Sequence, residues 1–215
     1  MPVTPQSERE KAAVARAGAE LVEPGMRVGL GSGTTVALVV EELARLRPDA
    51  EYVVASQSTE RAARAAGLPV LPLDELGTLD LALDGADQVD ESGWLVKGGG
   101  AAHTREKIVA AAARRFVVLV SSDKLVARVG PPVPLEVLAF APQTTLALVG
   151  DARLRPDTPS SPDGGLIADC FGAVDDARAL AARLEATPGV VAHGLFAPES
   201  YESVLVARGD DVSPR

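Results

Sequence analysis

The sequence has little cysteine, few aromatic residues and no long apolar run, and each shortage excludes a class of protein. Its one cysteine, Cys170, cannot form an internal disulfide, which is typical of a reducing compartment. No apolar run approaches the ~18 residues that a membrane span needs, and residues 1–10 lack the apolar core of a signal peptide. We therefore expect a soluble cytoplasmic protein with no membrane partner.

The low content of aromatic residues and the excess of acidic over basic residues restrict the fold classes and the kinds of ligand that we expect. Aromatics make up 3% of the chain, so Val, Leu and Ala must fill the core, which suits a parallel α/β protein better than a sandwich. The net charge of −9 argues against a nucleic-acid partner, because a duplex reader needs a basic face. A phosphorylated small molecule remains possible, since its site needs only a few amides, hydroxyls and a lysine.

Strand-like and helical runs alternate through the first three-fifths of the chain and predict a Rossmann-like, doubly wound, mostly parallel sheet. A capping box at Ser7–Glu10 is expected to open the first helix, which Pro24 and Gly25 would end. Further helices are expected at 34–47, 58–66 and 104–115. Strands are expected at 26–30, 51–55, 79–83, 94–97 and 116–120. The last of these is entirely apolar, as in a strand buried on both faces.

A proline cluster at 130–134 predicts a boundary. Beyond it we expect strands at 135–140, 166–170, 190–196 and 203–207, with helices at 142–149 and 175–185. The α/β fold would thus have a second, smaller α+β (ferredoxin-like) domain. We assign residues 1–130 plus about 200–215 to the Rossmann-like catalytic domain, and about 131–199 to the small domain.

Four polar segments carry candidate chemistry, and the first is Gly29–Thr35. It follows a strand and opens a helix, so its amides and the hydroxyls of Ser32, Thr34 and Thr35 could bind a phosphate. Gly33 completes the loop, which lacks the lysine of a Walker A loop and the third glycine of a dinucleotide fingerprint. An ordinary glycine turn capped by Thr34 is the alternative.

The second segment places two carboxylates, Asp84 and Asp87, around Gly85 and Ala86 at the end of a strand. Ligands of open α/β sheets bind at that edge. Two acids so spaced could converge on a small polyol, accept hydroxyl hydrogen bonds and shuttle protons. The alternative is a turn whose aspartates bond to nearby amides.

The third segment runs from Lys97 through Gly98, Gly99 and Gly100 to a helix that we expect Thr104 to cap. Three glycines allow bare amides to line a pocket. Glu106 would lie in the first helical turn, where a carboxylate can act as a base. Its alternative role is to complement the helix dipole, and that of Lys97 is a solvated surface charge.

The fourth segment, Ser121–Lys124, puts Lys124 just past another strand. Since all four segments follow predicted strands, we expect them to meet at one sheet edge. We expect no metal and no cofactor, because the only histidines, His103 and His193, lack ligand spacing. His103 is expected in a loop.

These segments, in this order and spacing, resemble the type A ribose-5-phosphate isomerases. The resemblance rests on Asp84–Asp87, Lys97–Ala101 and Thr104–Lys107. It extends to Pro134–Val137 and Pro188–Val191, and so covers nearly the whole chain.

The resemblance implies reversible isomerisation of D-ribose 5-phosphate to D-ribulose 5-phosphate through a cis-enediolate, in the non-oxidative pentose phosphate pathway. It implies Glu106 as base, Asp84 and Asp87 as sugar-binding groups that assist ring opening, and Lys97 as an enediolate stabiliser. The phosphate would lie on Ser32–Thr35, and Lys124 would bind substrate. Lys11 could also reach the phosphate. The implied assembly is a homodimer or homotetramer.

Two alternatives remain open at this point. One is a sugar-phosphate-sensing binding domain without catalysis, which would normally follow a helix-turn-helix and would not need the pair of Lys97 and Glu106. The other is an amino-sugar phosphate isomerase or a lactonase on a related sheet, for which we would expect a different arrangement of histidines.

Overall fold

The computed structural model describes residues 4–215; residues 1–3, which belong to the expected first domain, lie outside the described part. The helices are, in chain order, α1 (Pro5–Ala19), α2 (Gly33–Leu46), α3 (Gln57–Ala65), α4 (Leu73–Leu76), α5 (His103–Ala112), α6 (Pro142–Val149) and α7 (Ala177–Glu185). The strands are β1 (Arg27–Leu30), β2 (Glu51–Val54), β3 (Leu81–Asp84), β4 (Gln88–Asp90), β5 (Leu95–Val96), β6 (Phe116–Ser121), β7 (Leu125–Val126), β8 (Val133–Val137), β9 (Ala152–Leu154), β10 (Leu166–Cys170), β11 (Val190–His193), β12 (Leu195–Phe196), β13 (Ser203–Arg208) and β14 (Asp211–Pro214).

Packing divides the chain into two compact units. The first unit comprises the chain up to Ala86 with Arg105–Leu125 and Glu199–Arg215, and the second comprises Asp87–Thr104 and Val126–Pro198. Residues 87–104 and 126–130, which we predicted in the first domain, pack with the second unit. The predicted division of the chain into two domains stays a prediction.

The first unit is built on a six-stranded sheet of order β14-β13-β6-β3-β1-β2. Every pair is parallel except β13 with β14, which confirms the Rossmann-like, mostly parallel sheet. Aliphatic residues form the core, and all six residues of β6 are buried, as its apolar run predicts. The chain leaves β1 toward β2 and leaves β3 toward β6, so the strand order reverses between β1 and β3. Open α/β sheets bind ligands at this switch point.

The second unit contains the succession β8-α6-β9-β10-α7-β11, with an antiparallel sheet of order β11-β8-β10-β9. This βαββαβ arrangement confirms the smaller, ferredoxin-like α+β fold. Strands β12, β5 and β4 form a further antiparallel sheet. The aliphatic core of this unit includes Leu135, Val137 and Leu184, all fully buried.

Two expected helix starts were wrong. Helix α1 begins one turn earlier than predicted, because Thr4 is its N-cap and Ser7 closes the capping box from the third helical position. It ends at Ala19. Thr104 does not cap α5, which begins at His103; the Thr104 hydroxyl instead donates to the buried carboxylate of Glu136. His103 is therefore a fully buried helical residue rather than a loop residue.

The other expected elements are largely confirmed, and α6 and β10 have the predicted bounds. The strands that the sequence did not indicate are all short: β4, β7, β9 and β14. Among residues 4–215, no helix combines the length and the apolar character that crossing a membrane requires.

Candidate active site

In the first unit, the ends of β1 and β3 are held together by one carboxylate. Asp84 is 4% exposed, and its Oδ1 accepts hydrogen bonds from the Ser32 amide at 3.2 Å and the Gly85 amide at 2.7 Å. Glycine is required at position 31, since a Cβ there would lie 1.8 Å from the carboxyl carbon of Asp84. The two strand ends can thus approach closely only because residue 31 is glycine, which has no side chain.

Glu106 lies in the first turn of α5 and is 5% exposed. Its Oε1 accepts a hydrogen bond from the Ser32 hydroxyl at 2.5 Å, which is a short bond of the charge-assisted kind. The serine backbone and side chain therefore bind two different carboxylates, those of Asp84 and Glu106. This arrangement fixes a carboxylate at the switch point of the sheet, where it can act as a base on a bound ligand.

The N-terminus of α2 offers a place for an anion. Ser32 is the N-cap, and its hydroxyl makes no cap hydrogen bond but donates to Glu106. The first amides of a helix have no partner within the helix, and the dipole favours negative charge there. Gly33 and Thr34 are exposed, and Thr35 is half-buried. These groups suit a phosphate.

Lys124 ends the short helical turn after β6, two strands from β1 in the sheet. It forms an ion pair with Asp123 at 3.5 Å and is 31% exposed at the side chain. Lys11, on α1, pairs with Glu8 at 2.8 Å. Both lysines belong to the first unit, so two cations accompany the carboxylates there.

A buried carboxylate supports the segment that holds Lys124. Glu10 accepts hydrogen bonds from the Ser122 amide at 2.8 Å, the Ser122 hydroxyl at 2.7 Å and the Gly209 amide at 3.0 Å. Burial raises the pKa of Glu10, but hydrogen bonds from Gln6, Gly209 and Ser122 outweigh it and lower the pKa to about 2. Glu10 is therefore a charged tether at neutral pH.

In the second unit, Asp87 and the glycine segment meet. The Asp87 Oδ2 accepts a hydrogen bond from the Gly99 amide at 2.8 Å. The Ala101 amide donates to the Gly98 carbonyl at 3.0 Å, which closes a turn around Gly99 and Gly100. Gly98 has φ +105°, and a Cβ there would lie 2.7 Å from Nδ1 of His103. Only glycine fits this position.

Lys97 is 3% exposed, and its Nζ lies 5.6 Å from the centre of the Phe196 ring. Its amide donates to the Gly194 carbonyl at 2.8 Å. A Cβ on Gly194 would lie 2.1 Å from the Lys97 carbonyl oxygen. The Gly194 backbone thus lies close against the Lys97 backbone, and the Phe196 ring lies near the ammonium group of Lys97.

The expectation that all four segments follow strands of one sheet was wrong for the third, because β5, which precedes Lys97, belongs to the antiparallel sheet with β4 and β12. The structure joins some predicted site residues by direct hydrogen bonds and places the others in one of two units. Ser32, Asp84 and Glu106 are joined in the first unit, which also holds Gly33, Thr34, Thr35, Gly85, Ala86 and Lys124. Asp87 and Gly99 are joined in the second unit, which also holds Lys97, Gly98 and Gly100. The roles assigned to all of these residues remain predictions.

Sequence reasoning missed four supporting residues. Thr59 donates to the Gly31 carbonyl at 2.9 Å, and Gly194 admits the Lys97 backbone. Arg155 donates to the carbonyls of Gly98 and Gly99, and Asp169 holds Arg155. None lies near the segment that it supports along the chain, so no local pattern marks them.

Within the described range, 4–215, no group of three or more His, Cys, Asp or Glu side chains is arranged to hold a metal ion.

Comparison with known proteins agrees with the resemblance. The family model of ribose 5-phosphate isomerase A (phosphoriboisomerase A) matches residues 51–211. A ribose-5-phosphate isomerase A of Roseiflexus castenholzii is 44% identical over 208 residues, covering 89% of this chain and 88% of that protein. A solved ribose 5-phosphate isomerase A of Methanocaldococcus jannaschii has a TM-score of 0.91 and 33% identity, covering 97% and 99% of the two chains.

A second solved structure is a D-ribose-5-phosphate isomerase in complex with phospho-erythronic acid. It has a TM-score of 0.90 and 32% identity, and the match covers 97% of this chain and 98% of that one. Fold and relatives therefore agree on an aldose–ketose isomerase. This chain belongs to the ribose 5-phosphate isomerase A family. The family match does not favour the sugar-phosphate sensor.

Proposed function

We propose that this chain interconverts D-ribose 5-phosphate and D-ribulose 5-phosphate through a cis-enediolate, as a step of the non-oxidative pentose phosphate pathway. One observation supports this most: Ser32 both begins helix α2 and donates to Glu106 at 2.5 Å. A single residue thus couples an anion-binding helix end to a buried carboxylate. An isomerase of a sugar phosphate needs such a pair, one group for the phosphate and one for the carbon acid.

The phosphate would bind to the amides of Gly33, Thr34 and Thr35 with the two threonine hydroxyls. Lys124 would add a positive charge from the turn after β6. Amides and hydroxyls of this kind bind phosphate through short, charge-assisted hydrogen bonds. The phosphate is remote from the reacting carbons, so its binding energy can be used to hold these carbons in position for reaction.

Glu106 would act as the base. Its carboxylate removes the proton from C2 of the open aldehyde, and the electrons of that C–H bond form the C1–C2 double bond of the enediolate. The aldehyde oxygen takes the negative charge. Return of the same proton to C1 gives the ketose. The Ser32 hydroxyl orients the carboxylate, so that little reorganisation is needed before proton transfer.

Lys97 and the amides near Gly98, Gly99 and Gly100 would stabilise the enediolate oxygen. Preorganised donors aimed at a developing charge are often the largest single contribution to catalysis. Asp84 or Asp87 would carry the hydroxyl proton between O2 and O1 and assist ring opening, with Gly85 and Ala86 contacting the sugar.

The bound ligand of the solved relative supports this proposal. Phospho-erythronic acid combines a phosphate with a planar, negatively charged carboxylate, and so resembles an enediolate more than it resembles the neutral aldehyde. A site that binds it well has the donors that an enediolate needs. We expect it to inhibit this chain competitively.

The wider setting of the enzyme is also part of the proposal. We propose a cytoplasmic homodimer or homotetramer that needs no metal or cofactor and binds neither nucleic acid nor membrane. The net charge of −9 supports the absence of a nucleic-acid partner.

The deciding experiment is conversion of ribose 5-phosphate by purified protein in excess EDTA. We expect rapid conversion, and we expect Glu106→Gln to lower kcat by about 10²–10⁴-fold with little change in KM. Glu60→Gln is the matched control, because Glu60 also lies in a first helical turn but is half-exposed and paired with Arg64. No conversion by folded protein would refute the activity, and near-normal turnover of Glu106→Gln would refute the base.

A further inference from the structure

The three glycines that follow Lys97 would be loose without outside support, since glycine has more backbone freedom than any other residue. The turn from Gly98 to Ala101 has one peptide at its centre, which joins Gly99 to Gly100. With glycine on both sides, this peptide can flip between the orientations of type I and type II turns. A flip reverses the directions of the Gly99 carbonyl and the Gly100 amide.

Arg155 binds this turn from one side. Its Nη1 donates to the Gly98 carbonyl at 3.2 Å and to the Gly99 carbonyl at 3.0 Å. The N–H and C=O of a trans peptide point in opposite directions. The amides of Gly99 and Gly100 therefore point away from Arg155, and the Gly99 amide does meet the Asp87 carboxylate at 2.8 Å.

Arg155 is itself fixed. Its Nε and Nη2 donate to the two carboxylate oxygens of Asp169 at 2.9 and 2.6 Å, a bidentate pair whose side chains are 19% and 13% exposed. The fork geometry leaves Nη1 aimed at the glycine carbonyls. Hydrogen bonding to Asp169 raises the pKa of Arg155 despite burial, so the guanidinium stays charged at every working pH.

We propose that Arg155, held by Asp169, is a positioning residue that selects one orientation of the Gly99–Gly100 peptide, so that the Gly100 amide is presented to the enediolate oxygen. This inference rests on the proposed isomerase function. It adds a residue 56 positions from Gly99 that touches neither substrate nor reacting atoms but sets the direction of an oxyanion donor. Loss of one such donor costs about 10²–10³-fold in kcat, and a peptide free to flip keeps part of that contribution.

The test compares Arg155→Met with Arg153→Met in the full chain. Arg153 lies two residues earlier, pairs with Asp151 at 3.6 Å and is 74% exposed, and so controls for loss of an arginine from the same strand region. We expect Arg155→Met to lower kcat about 10–100-fold with KM changed less than about threefold. Asp169→Asn should give a smaller loss of the same kind, and it serves if Arg155→Met does not fold.

Two ligands separate positioning from general damage. Phospho-erythronic acid has a negative charge where the enediolate has one, so its Kd should rise in parallel with the fall in kcat/KM. Ribitol 5-phosphate has the same phosphate but no second charge, so its Kd should not change. Equal weakening of both ligands, or unchanged kinetics in folded Arg155→Met, would overturn the proposal.

The orientation of the Gly99–Gly100 peptide can also be measured without catalysis, so that failure of this inference can be told from failure of the proposed function. In ¹H–¹⁵N spectra, the Gly99 and Gly100 amides should shift or broaden in Arg155→Met but not in Arg153→Met. If wild-type protein shows no isomerisation while these amides respond as expected, the proposed function fails and the control of the peptide stands. Unaltered Gly99 and Gly100 resonances would refute the control itself.

Discussion

In the first unit a serine hydroxyl holds a glutamate, whereas in the second unit a guanidinium holds a run of peptide carbonyls. The Ser32–Glu106 bond joins two side chains, each of which stands where a strand or loop opens a helix. The Arg155 bonds join a side chain to the backbone of a glycine turn. The first contact therefore fixes the position of a side chain, and the second fixes the direction of backbone peptides.

This difference decides what a substitution can reveal. A side-chain group can be deleted directly, but a backbone amide can be changed only through whatever fixes its direction. Variants of residues that fix side chains and of residues that fix backbone groups therefore differ in what they measure.

Gly31→Ala should disrupt the first unit most. The new Cβ would lie within about 2 Å of the Asp84 carboxylate, so the ends of β1 and β3 must separate. We expect a loss of about 3 kcal/mol in the free energy of unfolding, measured by urea denaturation. Gly85→Ala is the control for stability, because its Cβ would meet no atom closer than 3.7 Å. Equal stability of the two variants would contradict the close-approach argument.

Glu10→Gln should weaken the first unit in a pH-dependent way. The carboxylate of Glu10 holds amides of another segment, as Arg155 holds carbonyls in the second unit. Its pKa is about 2 in the folded chain against 4.5 ordinarily, so its contribution is complete above about pH 4.5 and is lost as pH falls toward 2. We expect a cost of about 2 kcal/mol at pH 7.

The measurement is urea denaturation of wild type and Glu10→Gln at several pH values. The difference between them should shrink between pH 4.5 and 2. A difference that is constant across this range would show that the charge of Glu10 is not what stabilises the fold.

Ser32→Ala separates the two roles that this residue can have. If the hydroxyl orients Glu106, kcat should fall about tenfold with KM nearly unchanged, the size of one hydrogen bond to a charged group. Thr34→Val, which removes a hydroxyl from the α2 terminus, should instead raise KM. Steady-state kinetics on ribose 5-phosphate distinguish them, and a rise in KM alone for Ser32→Ala would assign its hydroxyl to the phosphate.

Tyr52→Phe should have the smallest effect, and of opposite sign. Within residues 4–215 the buried Tyr52 hydroxyl has no hydrogen-bond partner, unlike the buried carboxylate of Glu10. Removing it should stabilise the chain by up to about 1 kcal/mol. Burial raises the pKa of Tyr52 to about 12, so wild type should also lose stability as pH rises from about 10 toward 12. A destabilised variant in thermal denaturation would refute this.

The contrast also explains how far the sequence could predict the molecule. The parallel sheet and the ferredoxin-like unit follow from the order of strand-like and helical runs. The proximity of Ser32 and Asp84 follows from strands that end in polar motifs, and Glu106 from its place in a first helical turn. All of these patterns are local in the sequence. The Gly98 turn was visible as a run of glycines, but Arg155 and Asp169 were not. Their contacts depend on the pairing of β9 with β10, and no short pattern reports that pairing.

Errors in the element boundaries have a similar origin. A threonine before a helical run is a good cap, but α5 already begins at His103, so Thr104 lies inside the helix and its hydroxyl donates to the distant Glu136. The short strands β4, β7, β9 and β14 each hold two to four residues, too few to establish a period of two.

The position of β13 has a consequence for synthesis on the ribosome. This strand pairs with β6, yet the larger part of the second unit, Val126–Pro198, is translated between them. At about 5–20 residues per second, the roughly 80 intervening residues take about 4–16 s. During that time β6 presents an open edge of unpaired backbone groups, which is a template for pairing with other chains. The first unit thus begins translation first but completes its sheet last. Its aggregation through the open edge of β6 would be most frequent where many ribosomes translate one message close together.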